Sequence, residues 1–157
     1  MISRELAVRL RPLLPWTPQN ADRFFIPREE IADSVFIVSD MVVELIRAQG
    51  ESNFHFNGTT EWALDSVSSE VAVWLPSEQQ LREALREAFV SLDRVGDRYV
   101  VSYVVSSASS AGTGPGGAQH SAAMLDPADA YALALLRVLG GDDSLPSGID
   151  SVISAAR

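Results

Sequence analysis

The sequence predicts an α+β fold, a mostly antiparallel sheet built from hairpins with three to four helices packed against it. Three observations carry that prediction. Runs rich in β-branched residues, VFIV, MVVELI and RYVVSYVV, are interrupted by turn residues at short intervals, as in hairpins. Segments with apolar residues three and four apart, each behind a capping residue, read as helices. The helices stand before, between and after groups of strands, so strand and helix do not alternate as a parallel sheet requires.

The elements follow in order. Leu6, Leu10, Leu13 and Leu14 recur at helical spacing behind Ser3, a capping residue, and Pro12 ends that helix near Arg11. The loop PWTPQNAD leads to a short strand, RFFIP. SVFIVSD and MVVELIRA read as strands, QGES as a turn, and NFHFN as a return strand with Phe54 and Phe56 on one face. This places a hairpin near 42–48 and 53–57. TTEWALDSV, 59–67, reads as a short helix capped by Thr59 or Thr60. EVAVWLP is a strand closed by Pro76. Ser77 to Gln80 has the S-x-x-Q form of a capping box, and Leu81, Ala84, Leu85, Ala88, Phe89 and Leu92 continue it as an amphipathic helix. RYVVSYVVS and HSAAML pair across a Ser/Gly loop at 107–119. Asp126-Pro127 supplies a cap and a first-turn proline for a last helix, ADAYALALLRVL, which stops at Gly140-Gly141. Residues 1–141 thus read as one domain and 142–157 as an acidic, partly ordered tail.

Composition removes whole classes of chemistry. The chain has 157 residues, 46% of them hydrophobic and 21% charged, enough for a real core. Its formal charge of -9, with scattered basic residues, argues against nucleic acid as a partner. There is no cysteine, which excludes thiol catalysis and thiolate metal sites. All 12 basic residues are arginine, so Schiff-base chemistry and the phosphate-loop lysine are excluded as well. No apolar run has the length of a signal peptide or a membrane span, so a cytoplasmic protein without membrane contact is expected. Asn57-Gly58-Thr59 fits a glycosylation sequon, which has meaning only on a secreted chain.

The candidate sites divide into three groups. In FNGTTEWALDSV, Glu61 and Asp65 stand four apart and share a helix face, with Trp62 and Asn57 close by in sequence. Such a set is suited to acid/base work or to holding a cation. The competing structural reading weighs more, because tryptophans at such spacing usually fill a core, and Trp74 reads as core for the same reason. His55 and His120 are the only histidines, lie in different hairpins and match no metal-ligand spacing, so no metal is expected. GTGPGG, 112–117, lacks the lysine and the strand-to-helix setting of a phosphate loop, and no cofactor is expected. The last helix is different. Apart from Asp129 and Arg137 it is Ala, Tyr, Leu and Val, and such a helix is either central in the core or covered by another subunit. On the second reading Tyr131, Leu135, Leu136 and Leu139 form a dimer interface.

SRELAVRLR, W-x-P with DRFFIP, VFIVSDM, FNGTTEWALDSV, VWLPSEQQLREAL and DPADAYALALL together resemble a set of short, largely uncharacterised bacterial and phage-carried proteins, most familiar from actinobacteria. The resemblance covers most of residues 1–140, and FNGTTEWALD and WLPSEQQL are its specific parts. Members of that set often carry the automatic label of a CpaE-type pilus-assembly protein. The CpaE-type protein itself is similar to a MinD-family ATPase with a phosphate loop. This chain has neither the loop nor a lysine, so the resemblance implies no ATPase role and no nucleotide.

The function expected from the sequence is a non-catalytic interaction or accessory module, phage-related or regulatory, whose partner is a second copy of itself or another protein. The alternative is a small-ligand-binding protein or weak enzyme with its pocket around Asn57, Glu61, Trp62 and Asp65.

Overall fold

Nine strands and three α-helices follow one another in the computed structural model, which describes residues 1–29, 31–39, 43–48, 51–56, 66–105, 118–141 and 144. All strand pairs among these residues are antiparallel, and they form three sheets of three strands. The fold is α+β, as the segment pattern predicts. The stretch expected as one domain, 1–141, is organised as two compact units: residues 15–76, and residues 1–14 with 77–157.

The unit formed by 15–76 holds six short strands: β1 (Arg23–Phe25), β2 (Phe36–Ile37), β3 (Val43–Ala48), β4 (Glu51–Phe56), β5 (Ser66–Ser68) and β6 (Val73–Trp74). β1 lies between β2 and β6, and β4 between β3 and β5. The expected hairpin is present, in register from Val43↔Phe56 to Ala48↔Glu51. The helix expected over 59–67 is corrected at its described end. Ser66 and Val67 belong to β5, where Val67 stands opposite Phe54, and both side chains are buried. Pairing an apolar residue with a buried ring outweighs a weak helical preference. The core joins Phe24, Ile26, Ile31, Val38, Phe54, Val67 and Ala72, with Trp16, Phe36 and Leu45 packed at its margin.

The other unit contains α1 (Arg4–Leu10), α2 (Glu78–Leu85), a 3₁₀ turn (Arg86–Ala88), β7 (Phe89–Val95), β8 (Arg98–Val105), β9 (Ala118–Met124) and α3 (Pro127–Val138). α2 starts on a complete capping box. Gln80 N–H donates to Ser77 Oγ, and Ser77 N–H donates to Gln80 Oε1. It ends earlier than its apolar spacing suggests. Arg86 takes a positive φ of 49°, and from Phe89 the chain is strand, not helix.

A bulge explains the misreading. Phe89 stands opposite Tyr103 and Leu92 opposite Val101, so three steps on β7 match two on β8. The extra residue, Val90, is left over and half exposed. A spacing of three therefore keeps Phe89 and Leu92 on one face of a strand, where an unbulged strand would need a spacing of two.

α3 packs against α1, α2, β8 and β9, and Ala128 and the run Ala130–Leu136 are buried. Asp126 caps it by accepting from the Ala128 N–H at 2.8 Å, with Pro127 following. Its C-terminal end is set by Gly140 in the left-handed region, φ 74°. Ser3 stands at the N-cap of α1 but makes no side-chain cap bond. Its backbone N–H instead donates to Asp129 Oδ1 at 2.6 Å, which ties α1 to the first turn of α3.

Candidate functional site

Asn57, Glu61, Trp62 and Asp65 lie outside the described residues. Their position along the chain is nonetheless fixed by what surrounds them. They belong to the segment between the end of β4 and the start of β5, neighbouring antiparallel strands in which His55 stands opposite Ser66. The Ser/Gly stretch 107–117, with its GTGPGG, and the tail from 145 onward also lie outside the described residues.

The described residues of the 15–76 unit include an aromatic cluster. Phe24 and Phe54 stack at 4.4 Å between ring centroids, and Trp16 reaches Phe24 at 5.8 Å, Phe54 at 5.7 Å and Trp74 at 6.1 Å. The two indole planes are within 4° of parallel. Asp22, a buried carboxylate, sets this arrangement. Its Oδ2 accepts from Trp16 Nε1 and from the Gln19 N–H, both at 2.9 Å, so one oxygen fixes the ring and the loop that carries it. Ala21, with φ 71°, brings Asp22 into place, and its N–H donates to the Val38 carbonyl. Trp74, expected as core, is half-buried in β6, and its buried indole N–H has no hydrogen-bond partner among the described residues. That leaves a desolvated donor beside the ring stack, a cost of about 1–3 kcal/mol where no acceptor compensates. Sequence reasoning missed Trp16 and Asp22. Their one legible signal is a tryptophan ahead of a Pro-containing turn and an Asp that can accept from it, a common loop pattern with little power to discriminate.

The last helix resolves the other candidate group. Tyr131, Leu135 and Leu136 are at most 2% exposed, covered by this chain's own elements, while Leu139 is 39% exposed beyond the helix end. Of the two readings of this helix, Tyr131, Leu135 and Leu136 follow the first, buried in this chain's own core, whereas Leu139 stays exposed. α3 is apolar on nearly every side because α1, α2 and the β7–β8–β9 sheet surround it. Tyr131 meets the Phe89 ring at 5.7 Å. Burial raises its phenol above the ordinary range, and Glu78 of α2 pushes the same way against Arg82.

The described carboxylates near α3 serve structure. Asp126 holds the α-amino group of Met1 at 2.7 Å with the oxygen that does not cap the helix. Asp129 accepts from Ser3. Burial raises its carboxyl above the usual range, and the Ser3 N–H, which favours the charged form, only partly offsets this. His120 lies against the Tyr103 ring at 5.8 Å, and His55 is exposed on β4. Among the described residues no three His, Asp or Glu side chains converge on a possible metal position, and no helix is long and apolar enough to cross a membrane.

The face of the β7–β8–β9 sheet away from α3 has a composition of its own. Ser91, Ser102 and Ser121 stand in register straight across the three strands, and Asp93, Val100 and Ala123 form the next row. Val104 pairs with Gln119 beyond them. Val100, Val104 and Ala123 are half-exposed, and Asp93 is the single ionic side chain in these three rows, hydrogen-bonded by Ser91 Oγ at 2.8 Å. No protein-family model matches the chain, and neither does any curated protein or any solved structure.

Proposed function

We propose that the protein is a non-catalytic interaction module, phage-related or regulatory, that binds a second copy of itself or another protein through the outer face of the β7–β8–β9 sheet. The supporting observation is the makeup of that face, whose Ser91–Ser102–Ser121, Asp93–Val100–Ala123 and Val104–Gln119 rows carry small or uncharged side chains apart from Asp93, with Arg98 at the strand end. Interface centres are depleted in charge in the same way. Size limits how strong the contact is. Three strands about 4.8 Å apart and seven residues at about 3.3 Å each cover roughly 330 Å². A standard interface takes about 800 Å² per partner, so flanking surface must join in or the association is weak.

Native mass spectrometry and light scattering on the purified chain, with Val100→Glu and Val104→Glu beside it, test the reading. A multimer, or a co-purified protein, that both folded variants lose is the expected result. A wild-type chain that stays monomeric at micromolar concentration and carries no protein partner overturns it. A co-purified small molecule instead turns attention to Asn57, Glu61, Trp62 and Asp65.

A further inference from the structure

We draw no further inference here: the strongest candidate, the open recess of about 300 Å³ at the end of the β7–β8–β9 sheet lined by Glu87, Ala88, Val104, Val105 and Val138, carries nothing because nothing in the structure shows what fills it.

Discussion

The two compact units bury apolar surface by different means. In residues 15–76 the strands are two to six residues long, and the centre is a set of rings, Phe24 on Phe54 with Trp16 beside them. In the unit that contains α3, one 12-residue helix of mostly Ala and Leu is enclosed by two other helices and a sheet. A ring cluster depends on a few large side chains meeting at the right angle. An enclosed helix spreads the same burial over many small contacts along its length. The first kind of core should therefore be sensitive to single truncations, and the second to anything polar placed along its axis.

The largest effect expected is at Leu135→Glu, which sets an unpaired carboxylate at a position 1% exposed. It should cost about 4 kcal/mol or more and abolish the cooperative melt, measured by circular dichroism. A folded Leu135→Glu protein of unchanged stability would break the comparison, since α3 would then have an open side after all.

Phe24→Ala follows, at about 3–5 kcal/mol, because Phe24 is fully buried and stacked on two phenylalanines. Leu136→Ala on α3 should fall at about 2–5 kcal/mol, with both variants measured by urea denaturation. If Leu136→Ala costs clearly more than Phe24→Ala, the contrast between ring cluster and enclosed helix is wrong.

Ser77→Ala removes half of the capping box on α2 and should cost about 1 kcal/mol, read as a shift in the urea midpoint.

Asp129→Asn is the smallest change, and its sign is the informative part. Burial raises the folded-state carboxyl of Asp129 above its unfolded value, so ionisation works against folding. The stability this group contributes is fully present below the ordinary carboxyl range and is lost as pH rises through the raised folded value. Asparagine keeps an acceptor for the Ser3 N–H without the buried charge. The variant should be at least as stable as wild type at neutral pH, and the difference should vanish in acid. A loss of stability at neutral pH would show that the charge-assisted bond to Ser3 outweighs the cost of burial.

What was legible in the sequence follows the same division. The capping box at Ser77, the Asp126-Pro127 start and the long β8 strand each rest on local chemistry, and each stands where its residues place it. The end of α2 did not, because the bulge at Val90 lends a strand the spacing of a helix. Whether an all-apolar helix is central or shared between subunits depends on what surrounds it, which periodicity along one segment cannot report. In the ring-centred unit, strands as short as Phe36–Ile37 and Val73–Trp74 gain their identity from partners distant in the chain. The Asp22–Trp16 bond has the same origin in tertiary geometry, since no spacing rule links a loop carboxylate to an indole.

The bond from Ser3 to Asp129 joins residues 126 positions apart, and the unit it closes is interrupted by the whole of 15–76. The order of events during synthesis follows from this. The ring-centred unit is complete once residue 76 has been made, whereas α1 must wait for α3, the last helix described. The chain grows at about 5–20 residues per second, so several seconds separate the synthesis of α1, which carries the buried Leu6 and Leu10, from that of α3. Pairing of Phe24 with Trp74 inside the intervening unit shortens the effective loop that α1 and α3 must close, and so lowers the entropy lost when they meet.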